Sequence, residues 1–218
     1  MVETVKRLIA GYRGFRARYY EQRPDRMRQL VEQGQSPDVL LIACADSRID
    51  PALLFDSEPG ELFVVRNVAN LVPPYGPDDN PHGTSAAMEF AVRDLGVRHI
   101  VILGHSACGG IGALRATSAG EEFARDFIAP WMRIAADACP CDADGNVPDQ
   151  ETVEHGGIRV SLANLMTFPW IAEKVEAGDL LLHGWWVDLQ AGRLCSIDPD
   201  GDAMTELVAG EAPSDVAD

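Results

Sequence analysis

Positive charge is scarce in this chain. Lys and Arg number 18 against 34 Asp and Glu, for a formal net charge of −16. That balance argues against a nucleic-acid partner, because neutralising phosphates takes clustered Lys and Arg. It equally disfavours an anionic membrane surface, while saying little about a small anion held by local groups. Long apolar runs are also missing: no stretch approaches the roughly 18 residues a spanning helix needs. The first twenty residues, MVETVKRLIAGYRGFRARYY, lack the continuous apolar segment and small-residue cleavage pattern of a signal peptide. Cysteines number five, too few and too odd for a secreted disulfide framework, so a reducing, cytoplasmic setting with ligand or catalytic use of the thiols is expected. Neither an internal repeat nor an interdomain linker is visible, and 218 residues suit one domain spanning 1–218 with a substantial core.

Within that frame the patterning is regular. Arg7, Arg13, Arg16 and Arg18 hint at a transit peptide, but Val5, Leu8, Ile9, Tyr12 and Phe15 fall on one helical face, and an ordinary amphipathic helix fits better. Residues 1–34 read as a helical arm broken near Pro24. Short buried strands follow at Asp38–Ala43, Glu61–Arg66 and Val97–Leu103, with a loop at Asn67–Tyr75 and a helix at Thr84–Leu95 between the last two. Helices are expected at Pro51–Phe55, Gly109–Ala116, Phe123–Ala138, Val153–Met166 and Phe168–Ala177, and a loop at Cys139–Gln150. Asp179–Val187 and Arg193–Ile197 look like a final pair of strands. The tail, 198–218, is acidic and expected to be loosely held. Strands separated by helices imply an α/β fold, a mostly parallel sheet of about four strands with an antiparallel edge strand, flanked by helices. Ligands of such sheets bind outside the carboxyl ends of the strands.

Two of those ends carry metal-binding side chains: Cys44 in LIACADSR, and His105 with Cys108 in ILGHSACGG. Zinc takes Cys sulfur and His nitrogen in tetrahedral arrays, and sites stopping at three protein ligands are typically catalytic. Each residue alone has an ordinary reading, a Cys as a small buried hydrophobe and a His as a satisfied core group; together they favour a metal. Competing readings use the same residues. Gly104-His105-Ser106-Ala107-Cys108 approximates a G-x-S-x-G nucleophile elbow with Ser106 as nucleophile and Asp179 and His183 as partners. Either Cys44 or Cys108 could be a thiolate nucleophile. Cys139 and Cys141 could complete a structural zinc site, although their C-P-C spacing is too tight for the usual geometry.

Cys44-Ala45-Asp46-Ser47-Arg48 followed by Gly104-His105-Ser106-Ala107-Cys108-Gly109-Gly110 resembles the β-class carbonic anhydrases, most of all their plant-type branch. Glu58-Pro59-Gly60-Glu61, Arg66-Asn67-Val68-Ala69-Asn70 and His183-Gly184-Trp185 are similar to that family too, so the likeness runs nearly the length of the chain. The resemblance implies one zinc ion per chain held by Cys44, His105 and Cys108, with water or hydroxide as the fourth ligand. It further implies reversible hydration of CO2 to bicarbonate and a proton by attack of that hydroxide, or, on the same ligands, hydrolysis of carbonyl sulfide or carbon disulfide.

Other roles also follow from the likeness. Asp46 accepts the hydroxide's proton in a hydrogen bond, and Arg48 holds Asp46 through a charge-assisted pair. Gln35 and the Gly109 N–H donate to substrate oxygen, while Phe63, Val68 and Phe90 form an apolar CO2 pocket. Gln35 and the Phe90 region serve a partner subunit's site, so the expected state is a homodimer or a dimer-based oligomer with the N-terminal helices as its arm. His82 could shuttle protons or be an ordinary loop histidine. In the bicarbonate-switched bacterial branch a Trp precedes the first Cys by three residues and a Tyr lies in the HGW strand. This chain has Leu41 and Val187 there, and Arg66 alone remains, so no such switch is expected.

Overall fold

The computed structural model describes residues 2–122 and 125–209. Its centre is a six-stranded sheet in the order β2-β1-β3-β4-β5-β6. The strands are β1 (Val39–Cys44), β2 (Leu62–Asn67), β3 (His99–His105), β4 (Leu181–Asp188), β5 (Arg193–Ile197) and β6 (Met204–Val208). The first four are mutually parallel and the last two run antiparallel. The helices are α1 (Glu3–Arg16), α2 (Pro24–Gln33), α3 (Pro51–Leu54), α4 (Gly83–Glu89), α5 (Gly109–Ser118), α6 (Ile128–Met132), α7 (Gln150–Leu165) and α8 (Pro169–Glu176). Widened turns extend α1 through Gln22 and α4 through Asp94.

Period-two alternation in the strands sends residues to two different cores. Leu40, Ile42, Ile100, Ile102 and Trp186 face one side, where Met88 and Val92 follow from α4 and Ile158, Leu162 and Leu165 from α7. Leu41, Ala43, Val101, Leu103 and Val187 face the other, against Ile49, Leu71, Ile111, Met132 and Val153. A fully buried side chain of this size contributes about 1.5–3 kcal/mol, so the two layers carry most of the stabilisation.

Helix α7 sits close to the sheet because two strand positions carry no side chain. A Cβ on Gly104 of β3 would meet Ile158 Cδ1 at 2.7 Å, and one on Gly184 of β4 would meet Ile158 Cγ2 at 2.7 Å and Leu162 Cδ1 at 2.9 Å. The short approach matters later, since α7 also reaches behind the strand ends.

Two expectations need correction. The edge is two antiparallel strands rather than one: Met204–Val208 pairs with β5 from Ile197↔Met204 to Leu194↔Val208, with a bulge at Leu194/Cys195. Acidic composition reported how solvated the tail is, not whether it pairs, and an edge strand with one neighbour leaves all five residues exposed; residues 210–218 lie outside the described residues. The helix expected at Phe123–Ala138 is shorter, with α6 followed by a tighter turn over Arg133–Ala138, and residues 123–124 lie outside the described ones. The apolar stripe of α1 is real, but the chain itself covers none of it: no residue of α1 is buried, and Leu8 and Tyr12 are 71% and 60% exposed.

Replacing Gly184 with Val would force side chains into the space Ile158 and Leu162 occupy. Overpacking of this kind typically costs about 1–3 kcal/mol, and thermal melts of G184V should show a loss of that order.

Candidate metal centre

The pairing of β1 with β3 sets Ala43 opposite Leu103, so Cys44 and His105 end their strands side by side. The chain leaving β3 turns sharply through Ser106 and Ala107, the latter in the left-handed region (φ 55), and delivers Cys108 as the N-cap of α5. The three side chains are 5%, 1% and 2% exposed for Cys44, His105 and Cys108. Their ligating atoms all lie within 4.8 Å of one another. The two sulfurs are 4.0 Å apart, close to the about 3.8 Å that a tetrahedral zinc with 2.3 Å bonds requires.

The imidazole decides what the cluster is for. His105 Nδ1 bonds the Ser106 carbonyl at 2.9 Å, and because a carbonyl only accepts, Nδ1 carries the hydrogen. Nε2 is then a bare lone pair, buried and without any partner. A buried acceptor left unsatisfied costs about 1–3 kcal/mol, and a metal ion between it and the two sulfurs removes that cost. The donor set fits zinc.

The thiols are already poised for it. Their mutual hydrogen bond pulls Cys44 well below the usual thiol range, against the effect of burial, and pushes Cys108 up, with burial adding to the rise. The two shifts favour Cys44 giving up its proton before Cys108 does. Backbone donors await the negative charge: Ala69 N–H points at Cys44 Sγ at 3.4 Å, and the Gly110 and Ile111 amides favour the Cys108 thiolate.

Asp46 and Arg48 border the cluster. Arg48 Nε donates to Asp46 Oδ1 at 2.9 Å and Nη2 to Oδ2 at 2.7 Å, the Arg48 backbone N–H adds a third bond to Oδ1 at 2.9 Å, and Nη2 also reaches the Ala107 carbonyl at 3.0 Å. The guanidinium holds the Asp46 carboxyl far below its ordinary range. Asp46 Oδ2 stands 4.0 Å from His105 Nε2, beside the place a metal would fill. Gly109 opens α5, where first-turn amides have no intrahelical partner.

Of the other expected site residues, Val68 lies beside the cluster, next to Ala69, whose N–H reaches Cys44 Sγ, and with its Cγ1 against Gly110; Gln35, Phe63, Phe90 and His82 are not brought to it within one chain. Gln35 is exposed and precedes β1, whose far end carries Cys44, about 17 Å away at the usual strand rise. Phe63 is opposite Leu40 and stacks with Phe90 at a centroid distance of 5.9 Å, again toward the amino end of β1. Phe90 is 44% exposed and Val68 is 37% exposed. His82 lies on an exposed loop, with Nε2 2.7 Å from Asp78 Oδ1.

The geometry also disposes of two rival assignments, the nucleophile elbow and the structural zinc site. Ser106 Oγ accepts the Leu189 N–H, and His183 pairs with His99 at 3.1 Å in the opposite half of the sheet, so no Ser–His–Asp array forms. Cys139 is buried in the core and Cys141 is exposed, bonded to the Ser118 carbonyl. Among the described residues, the one group able to hold a metal is the Cys44–His105–Cys108 trio.

Other residues support the site, and two of them, Glu154 and Gln150, escaped the sequence reading. Arg66 grips the Cys44 and Asp46 carbonyls and the Asp50 carboxylate, tying the loop after β1 to β2. Glu154 and Gln150 reach the backbone of Cys108 from α7. A signal for Glu154 existed: it precedes Ile158, Leu162 and Leu165 at helical spacing, a charge on an otherwise apolar stripe.

Comparison with known proteins agrees with the geometry. The carbonic anhydrase family model matches residues 39–194. A carbonic anhydrase of Pseudomonas aeruginosa is 39% identical over 196 residues, covering 88% of this chain and 86% of that protein. The solved β-carbonic anhydrase CcaA superposes with a TM-score of 0.77 at 33% identity, over 94% of this chain and all of that one.

This chain belongs to the β-class carbonic anhydrases. Two tetrameric β-carbonic anhydrases of Sordaria macrospora yield a further structural match, with a TM-score of 0.72 at 26% identity over 97% of this chain and 100% of that one. The family likeness spans both strand ends that carry the trio.

Because burial and the neighbouring sulfur hold Cys108 toward its thiol form, binding zinc as a dithiolate should release protons, and affinity should climb as pH rises. Calorimetric titration of the apo-protein with zinc, in buffers of different ionisation enthalpy, measures that release directly.

Proposed function

We propose that this protein catalyses the zinc-dependent reversible hydration of CO2 to bicarbonate and a proton. The observation that carries the reading is the bare, buried Nε2 of His105 held beside two thiol sulfurs, in a chain of the carbonic anhydrase family. Zinc held by Cys44, His105 and Cys108, one ion per chain, would supply a Lewis acid able to bring the pKa of water down toward 7. With two thiolates the ligand set neutralises the ion, so the active form builds up at a higher pH than with three imidazoles.

The chain's own groups supply the rest. Asp46, kept anionic by Arg48, can only accept hydrogen bonds, so it takes the proton side of the reacting water and turns a lone pair toward CO2. Arg48 occupies both carboxylate oxygens and restrains Asp46 from closing on the metal. The Gly109 N–H, at the positive end of α5, faces developing charge on a substrate oxygen. Val68, beside the ligands, gives CO2 an apolar approach in its own chain, and Phe63 and Phe90, paired at the other end of the strand, would add theirs at the site of a second copy.

Gln35 and Phe90 are too far along the sheet to serve their own chain's metal, so their role requires a second copy. The uncovered apolar face of α1 and the tetrameric Sordaria relatives favour a homodimer or a dimer-based oligomer. All five cysteines are unpaired, which suits the cytoplasm, and no helix among the described residues is long and apolar enough to cross a membrane.

Stopped-flow hydration of CO2, run beside a carbonyl sulfide assay and zinc analysis, tests the reading. Fast hydration with about one zinc per chain is expected; bound zinc with carbonyl sulfide turnover and no hydration would overturn it in favour of the hydrolase. Arg48→Ala should lower kcat by roughly 10–100-fold, as the loss of outer-shell support to a metal site typically does, and unchanged turnover would remove the dyad.

Leu41 and Val187 are buried and apolar, and each nitrogen of the Arg66 guanidinium already donates to the Cys44 carbonyl, the Asp46 carbonyl or Asp50. Nothing there favours a regulatory bicarbonate. Activity below neutral pH should fall without cooperativity and without enhancement by added bicarbonate, which a pH series at fixed ionic strength will read.

A further inference from the structure

Glu154 is a carboxylate 3% exposed, and its partners are all neutral donors. Oε1 accepts the Cys108 N–H at 2.9 Å and Gln150 Nε2 at 2.8 Å, while Oε2 accepts Trp186 Nε1–H at 3.2 Å. Gln150 Nε2 spends its second hydrogen on the Cys108 carbonyl at 3.0 Å. Both backbone groups of Cys108 are therefore held by one turn of α7. Burying a charge without a cation costs several kcal/mol, and shape alone would be served by an apolar residue. What only a carboxylate offers here is two acceptor oxygens facing donors on both sides. A glutamine would turn its NH2 toward either Trp186 Nε1–H or the Cys108 N–H.

We propose that Glu154, with Gln150, is a positioning residue of the metal centre, fixing the Cys108 peptide from behind and thereby setting both the Cys108 sulfur and the Arg48–Asp46 contact. The link to the dyad runs through one residue. Ala107 holds a left-handed conformation that costs about 1–2 kcal/mol for a residue with a Cβ, and its carbonyl accepts from Arg48 Nη2. A shift of the Cys108 peptide rotates that carbonyl and carries Arg48 with it. The mount is stiff, because Glu154 lies one turn from Ile158, the residue that α7 presses into the side-chain-free space at Gly104 and Gly184. The inference rests on reading Cys44, His105 and Cys108 as the metal ligands.

The test uses full-length protein with cobalt(II) in place of zinc, so that thiolate-to-cobalt charge-transfer and d–d bands report ligand geometry independently of turnover. In wild type these bands should appear; their absence would overturn the metal-centre reading itself. E154Q should shift the bands, weaken metal binding and lower kcat, each of the last two by about 10–100-fold, with KM little changed. In E154Q/W186F the NH2 no longer faces an N–H, the amide oxygen can return to Cys108, and at least tenfold of the kcat loss and the wild-type bands should be restored. Wild-type bands, affinity and kcat in E154Q, with only a lowered Tm, would overturn the proposal, as would a double variant no better than the single one. Should E154Q fail to fold, Gln150→Ala, which removes the grip on the Cys108 carbonyl, should move the bands and kcat in the same direction, and its failure to do so would equally overturn it.

Discussion

The register between β1 and β3 is the constraint on which the site depends. Two thiols and an imidazole separated by more than sixty positions converge only because Ala43 pairs with Leu103. In a sheet a slip of one residue sends every side chain to the opposite face, and here it would take Cys44 out of line with His105. The two-layer burial of β1 and β3, with Leu40, Ile42, Ile100 and Ile102 on one face and Leu41, Ala43, Val101 and Leu103 on the other, makes such a slip expensive even though both faces are apolar. The close seating of α7 at Gly104 and Gly184 reinforces it, because those gaps exist in one alignment only. Core packing here is therefore also ligand geometry.

Charge works on a different scale. The chain as a whole is strongly acidic, yet the charges that touch the site are few and, apart from the buried Glu154 carboxylate, matched. Arg48 cancels Asp46 and Arg66 pairs with Asp50. Two thiolates would balance one divalent ion. Net charge governs approach from solution, and at physiological salt it is screened within about 8 Å. CO2 is uncharged, so a negative surface does not oppose its arrival, and it favours departure of bicarbonate. The same global charge that argues against a nucleic-acid partner is thus compatible with the proposed substrate and product.

Much of the centre was legible in the sequence because its logic is local. A Cys ending an apolar run and His-x-x-Cys ending another place three ligands without knowledge of the rest, and Asp46 with Arg48 sits within four residues of the first. The parallel core was legible for the same reason, β1, β2 and β3 each being a short, largely apolar run. Glu154 and Gln150 were not, since they act from a helix more than forty residues downstream, and what reveals them is the tertiary approach of α7 to Cys108. Ala107's left-handed backbone was hidden too, because nothing about alanine announces it. Strand β6 was missed since five exposed residues carry no burial pattern. The apolar stripe of α1 was seen but its partner was not, because a face whose cover is another molecule looks, in one sequence, like any amphipathic helix.

Strain at the site and the bonds that hold it have the same source. Ala69, Asn70 and Ala107 all take left-handed conformations, and each lies in a turn beside a ligand. Asn67 brackets the first turn, with its side chain accepting from Leu71 N–H and donating to the Leu71 carbonyl, so that Ala69 can present its N–H to Cys44. Glu154, Gln150 and Arg48 bracket the second, so that Cys108 enters α5 with its sulfur toward the amides. Glycine at these positions would relax the backbone, but it would also widen the unfolded ensemble and loosen the turns. Alanine stores strain that the surrounding hydrogen bonds can hold, and a turn held in this way has one arrangement rather than several. For a centre that must keep an imidazole lone pair bare and two sulfurs 4.0 Å apart before any ion arrives, a single arrangement is what shortens the path to binding.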